Sequence, residues 1–149
     1  MIQRKQSVFL LLAFVAIVAC LSMPIAEILP HGMGASLAWF NIGLYGESAG
    51  QLTLVPFILL ALSGIIGLVT IFLYRNRLLQ ARLCTAALVL CLAWYVYYAF
   101  AALNAFQALG AFRPHFAACL PLVAAVLFVM ARRGVMADEK LVRSMDRIR

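Results

Sequence analysis

Charge is scarce in this sequence, and negative charge most of all: 11% of its 149 residues are charged, with five acids against twelve lysines and arginines. Clusters of acids with bases, a nucleotide-cradling loop and the regular spacings of a metal site are missing, so no familiar reaction centre is marked out. Cys20, Cys84, Cys91 and Cys119 form no C-x-x-C pair, which removes the usual thiol redox and zinc signatures. All four lie inside apolar stretches and read as small buried residues; Cys84 and Cys91, seven apart, share a helix face. Alternating polarity is missing from the apolar runs too, which excludes a transmembrane barrel.

Apolar residues dominate instead, at 66% of the chain against roughly 45–50% in a soluble domain. A soluble fold has no interior large enough for that surface, so the chain is expected to be an integral membrane protein. Four apolar runs stand out, about Ser7 to Leu29, Leu52 to Tyr74, Leu83 to Ala108 and Pro114 to Ala131. Each is near the roughly 20 residues that cross hydrocarbon as a helix, the form that satisfies backbone groups within the segment. The expected fold is all-α: a four-helix transmembrane bundle over residues 1–135 and a cytoplasmic amphipathic tail over 136–149. Pro121 is expected to kink the fourth helix, and Ser63 and Gly67 to let a neighbouring helix come close.

The formal charge of +7 would suggest nucleic acid in a soluble protein. Here the basic residues bracket the apolar runs, and no nucleic-acid partner is expected. Arg4 and Lys5 precede the first run, Arg75, Arg77 and Arg82 separate the second from the third, and Arg132 onward follows the fourth. Only Arg113 of the twelve falls on the other side. The positive-inside rule puts both termini and the central loop in the cytoplasm. It leaves outside a loop around Pro30 to Gln51, to which no regular structure is assigned, with Trp39, Phe40, Tyr45 and five glycines.

In the tail, Leu141, Val142, Met145 and Ile148 make an apolar stripe flanked by Lys140, Arg143, Arg147 and Arg149. Asp138 and Glu139 suit the positive end of that helix. The plain account is a basic helix on the inner leaflet, with membrane lipids as partner. The alternative is docking on a membrane or cytoplasmic protein, or on the Arg75 to Arg82 loop, with Asp138, Glu139 or Asp146 pairing to arginines. These residues, Arg75, Arg77, Arg82, Asp138, Glu139, Lys140, Arg143, Asp146 and Arg147, form a candidate cytoplasmic contact surface.

Three strings, MIQRKQSVFLLLA (Met1 to Ala13), IFLYRNRLLQARLC (Ile71 to Cys84) and DEKLVRSMDRIR (Asp138 to Arg149), occur in this order along the chain. They resemble a family of short four-helix membrane proteins from Bacteroidetes-type bacteria, catalogued as a domain of unknown function. The resemblance implies a bacterial cytoplasmic-membrane location and no activity. Its strings lie on the inferred cytoplasmic side.

Other positions carry weaker signals. Glu27, His31, Glu47, Arg113 and His115 fall on the outer side, where two histidines and two carboxylates suggest a metal, against the plainer account of interfacial polar residues. Glu27, the one acid inside an apolar run, is expected to pair with Arg113. Trp94, Tyr95, Tyr97, Tyr98 and Phe100, followed by Asn104 and Gln107, read either as aromatic packing or as the wall of a lipid or quinone pocket. The sequence around Cys20 resembles a lipoprotein cleavage box, but Leu21 to Leu29 stay too apolar for one. The function expected is a non-enzymatic accessory, assembly or scaffold protein of a bacterial inner membrane, with no cofactor. The rival is a small transporter or a lipid- or quinone-binding bundle.

Overall fold

Pro24 divides the first apolar run into a helix, α1 (Gln3–Ser22), and a strand, β1 (Ala26–Pro30). Proline lacks the N–H that a continuing helix needs and pushes the residue before it into extended backbone, so the helix stops two residues earlier. The computed structural model describes residues 3–30, 35–46, 51–73, 76–105 and 110–146. Strands β2 (Leu37–Phe40), β3 (Gly43–Tyr45) and β4 (Gln51–Leu52) follow, then helices α2 (Val55–Phe72) and α3 (Arg77–Phe100) with a π-helical turn at Ala101–Ala105. Strand β5 (Gly110–Pro114), a 3-10 turn at Phe116–Cys119 and helix α4 (Leu120–Asp146) complete the chain.

The fold is therefore not all-α. Among the described residues, four helices carry a five-stranded antiparallel sheet in the order β4-β3-β2-β1-β5: β2 and β3 lie in the outer loop to which no regular structure was assigned, β1 at the end of the first apolar run and β5 between the third and the fourth. The strands alternate: Ala26 and Ile28 are buried with Glu27 half-buried between them, and Leu37 and Trp39 are buried beside half-buried Ala38 and Phe40. Each alternation lasts only two or three residues, too short to register against long apolar helices. Strand β5 joins from beyond α3, and Gly110 permits the approach: a Cβ there would run into the Leu29 carbonyl oxygen.

The helices form a ring in which α1 packs on α2 and α4, and α3 on α2 and α4. Small residues line the seams. Ser63, Gly64, Gly67 and Thr70 lie on the buried face of α2 with Pro56 and Leu60, and a Cβ on Gly67 would lie 2.9 Å from the Phe128 ring. Ser63 Oγ also donates to the Ala87 carbonyl at 3.0 Å, so the Ser63/Gly67 pair lies at helix contacts. Cys84 and Cys91 are both buried on one face of α3. Pro121 lies in the first turn of α4 rather than inside it; there it disrupts no interior hydrogen bond, which removes the reason to expect a mid-helix kink.

Outward faces are apolar as well, with Val8, Leu11, Val15, Ile58, Ile65, Val89 and Val126 all exposed. By length and composition, the stretches Val55–Phe72, Arg77–Asn104 and Phe116–Ser144 can cross a membrane, and the apolar helix Gln6–Ser22 is shorter. The sheet sits where α1 and α3 end and α2 and α4 begin. The opposite end gathers the starts of α1 and α3 and the long C-terminal extension of α4.

Candidate functional site

At the end away from the sheet, α4 runs on without interruption from its apolar turns into the amphipathic tail. Two polar contacts fasten this extension to the bundle. Gln6, only 5% exposed, donates from Nε2 to Asp138 Oδ2 at 2.6 Å. Gly134 makes room for it, since a Cβ there would stand 3.0 Å from Gln6 Cγ. Arg77, in the first turn of α3, donates from Nη1 to the Asp138 carbonyl oxygen at 3.2 Å. Behind it, Gln80 donates from Nε2 to the Thr70 carbonyl at 3.3 Å, tying α3 to α2. Gln6, Ser7, Arg77, Gln80 and Asp138 surround a cavity of about 20 Å³, large enough for one water.

Outside this polar knot lie two adjoining grooves. One, of about 480 Å³, runs between Arg77, Leu79 and Arg82 of α3 and Glu139 and Val142 of α4. The other, of about 500 Å³, is lined by Leu78 with Met136, Glu139, Lys140 and Arg143. Glu139 Oε1 accepts from Arg143 Nε at 3.0 Å, an i,i+4 pair on the tail worth a few tenths of a kcal/mol in water. Among the described residues, Arg82 and Lys140 have no ion-pair partner.

Arg77, Arg82, Glu139, Lys140 and Arg143 of the candidate contact surface thus lie around two adjoining grooves that share Glu139, and Asp138 sits behind them. Arg75, Arg147 and the side chain of Asp146 lie outside the description. Contact between tail and arginine loop is made through a backbone carbonyl of Asp138, not through its carboxylate, which Gln6 occupies. Gln6 and Gln80 escaped the sequence argument. The available signal was position: uncharged amides at the first and third helix starts, on the buried stripes that continue as Leu10, Ala13 and Ile17 and as Cys84, Ala87 and Cys91.

The sheet end organises differently. Glu27 of β1 stands directly opposite Arg113 of β5 in the antiparallel register. No salt bridge forms between the two, although residues so opposed have Cβ atoms only about 5 Å apart. Glu27 belongs to a strand and not to a spanning helix, because Pro24 has already ended α1; the intramembrane-carboxylate argument loses its basis. His115 is exposed and uses its backbone N–H on the Ile25 carbonyl at 3.0 Å. His31 and Glu47 lie outside the described residues. Among those described, no three His, Cys, Asp or Glu side chains gather as a metal site would require.

Trp94, Tyr95 and Tyr98 of α3 are consumed in packing under the sheet. Tyr98 is sandwiched between Trp39 and Trp94, with ring centroids at 5.2 Å and 5.1 Å and interplanar angles of 7° and 16°. Tyr95 Oη donates to the Ala118 carbonyl at 2.7 Å and Tyr98 Oη to the Ile25 carbonyl at 3.3 Å. Beneath the stack, fully buried Asn41 accepts from Trp94 Nε1 at 2.9 Å and donates from Nδ2 to the Cys20 carbonyl at 2.8 Å. Asn41 thereby fastens the β2–β3 turn to α1 and α3, a role the sequence analysis missed. Its signal was modest: an asparagine two residues before Gly43 between apolar residues, a hairpin pattern. Cys20, the lipidation candidate, is wholly buried within α1. Phe100 is exposed, and Gln107 lies outside the description.

Residues 2–148 match the model of the family described as Domain of unknown function (DUF4293). No curated protein matches the chain.

Proposed function

The chain belongs to this family of unknown function, and from that premise we propose that it is a non-enzymatic accessory or scaffold protein of a bacterial inner membrane. Its four helices cross the bilayer with both termini in the cytoplasm, and it engages a protein partner through the α2–α3 loop and the tail. The observation that carries this reading is the fastening of Asp138 to Gln6 and Arg77. A tail that merely floated on lipid would need no such attachment. Attached, it presents Lys140 and Arg143 beside Arg82 of α3 in a fixed arrangement, as a recognition surface requires.

The orientation rests on the same basic residues. Arg77, Arg82, Arg132, Arg133, Lys140 and Arg143 all belong to the end away from the sheet, where the positive-inside rule places the cytoplasm. A bacterium of the Bacteroidetes type is the proposed source, from the resemblance of the terminal and central strings. The rival, a ligand-binding bundle built on the aromatic residues of α3, is disfavoured because Trp94 and Tyr98 are spent on stacking and hydrogen bonding.

The test is co-purification from native membranes after cross-linking. A stoichiometric protein is expected with the native chain and lost when Lys140→Glu and Arg143→Glu are combined. Equal recovery from native and reversed chains, or no stoichiometric protein from either, removes the proposal.

A further inference from the structure

The paired grooves between the start of α3 and the extension of α4 are basic, partly apolar and placed where the spanning lengths run out. Phe72 ends the span of α2 and Arg77 begins that of α3. Gln80 Nε2 bonds the Thr70 carbonyl near the end of α2, and Arg77, one turn earlier in α3, bonds the Asp138 carbonyl, so Asp138 of α4 lies near the level at which α2 leaves the hydrocarbon; Arg132 and Arg133, about 8–9 Å short of it at about 1.5 Å per residue, reach that level by extending their side chains. Glu139, Lys140 and Arg143 therefore stand at the level of the lipid head groups when the bundle is inserted.

We infer that this cleft binds the head group of an acidic glycerophospholipid from the adjoining leaflet. Arg77 and Arg82 line one of its two grooves and Lys140 and Arg143 the other, against Glu139, the single lining carboxylate, which both share. With Glu139 already paired to Arg143, the two grooves together hold four basic side chains against one acid, an excess of three positive charges that favours an anionic head group over a zwitterionic one. Arg82 in one groove and Lys140 in the other, on either side of the shared Leu78 and Glu139, are unpaired among the described residues and supply donors to a phosphate. Leu78 and Met136, 49% and 44% exposed, give the first carbons of an acyl chain an apolar path out of the cleft. A soluble phosphate would gain nothing from that path, and an acidic peptide would have to enter at the membrane surface. The inference names a lipid for the surface that the proposed function assigns to a partner, and it rests on that reading for the membrane level of the cleft.

The full chain, purified in mild detergent, is titrated with phosphatidylglycerol and phosphatidylcholine, and bound lipid is counted by native mass spectrometry. Retention of phosphatidylglycerol over phosphatidylcholine is expected. Arg82→Gln should weaken it about fivefold, the worth of one basic side chain at an anionic surface. Leu79→Trp fills the cleft without changing charge and should abolish retention, while Arg113→Gln at the sheet end should leave it intact. Equal retention of the two lipids overturns the inference. So does native-like binding to Leu79→Trp, which would mean diffuse attraction, or full displacement by glycerol 3-phosphate, which would mean a soluble-anion site. All three substituted side chains are exposed, and near-UV circular dichroism checks the fold; the comparison of the two lipids on the native chain decides by itself. Failure here leaves the protein-partner proposal standing, and a missing protein partner leaves the lipid result standing.

Discussion

Gln6 and Asp138, 132 positions apart, share a hydrogen bond of 2.6 Å that joins the first turns of α1 to the extension of α4. Asp138→Leu strands the buried Gln6 amide, and a loss of about 1 kcal/mol in unfolding free energy is expected, within the range of interhelical hydrogen bonds in membranes. Limited proteolysis should cut the variant after Arg143 sooner than the native chain. Asp138→Asn retains an acceptor and should behave nearly as the native protein. Unchanged cleavage in Asp138→Leu would show that the tail is placed by other contacts.

Asn41→Leu removes the acceptor for Trp94 Nε1 and the donor to the Cys20 carbonyl together. Leaving such buried groups unsatisfied costs about 1–3 kcal/mol. Denaturant unfolding followed by tryptophan fluorescence should show that loss, with a changed near-UV spectrum from the disturbed Trp39, Tyr98 and Trp94 stack. A native-like spectrum would contradict the role given to Asn41.

The contact of Gly67 with Phe128 predicts a size-compensated pair. Gly67→Ala introduces a Cβ 2.9 Å from the ring and should destabilise by about 1–3 kcal/mol, as overpacking does. Adding Phe128→Leu should recover part of that loss, because the offending atoms are the far end of the ring. Simple additivity of the two losses would refute the contact.

Facing each other across β1 and β5, Glu27 and Arg113 test the sheet itself. Glu27→Arg sets two like charges opposite and should destabilise by up to about 1 kcal/mol. The swapped double variant, Glu27→Arg with Arg113→Glu, should return close to the native value. If the swap restores nothing, the strands are not paired in this register.

Orientation is tested by thiol labelling in a Cys119→Ser background, since Cys119 is the exposed cysteine among the four. A membrane-impermeant reagent added from outside should modify a cysteine placed at exposed Ser36 on the sheet end and spare one at Ser144 on the tail. Ser48 offers a second outer position, though it lies outside the described residues. The opposite labelling pattern would invert the proposed topology.

Much of the helical part was open to inspection in the amino-acid order. Long apolar runs marked α2, α3 and α4; the seven-residue spacing of Cys84 and Cys91 put both on one buried face; Ser63 and Gly67 marked a close helix contact. These patterns are local and repeat over several turns, so neighbouring residues supply the signal. The grouping of Arg77, Arg82, Lys140 and Arg143 at one end was likewise foreseeable, because antiparallel helices return the chain to the same end after each pair.

Tertiary structure alone decided the rest. The sheet depends on β5 reaching back across two helices to β1, and its alternation is too brief to compete with apolar runs that could equally continue as helix. Whether Pro24 would kink α1 or end it turned on whether extended partners were there to take the freed backbone groups. Asn41 became a buried anchor only because Trp94 and the Cys20 carbonyl arrive from two other elements. The amino-acid order by itself determined an apolar helical protein with one basic end. Which polar groups are satisfied, and by whom, was settled by distant segments meeting in space, since a hydrogen bond between them leaves no period in either one.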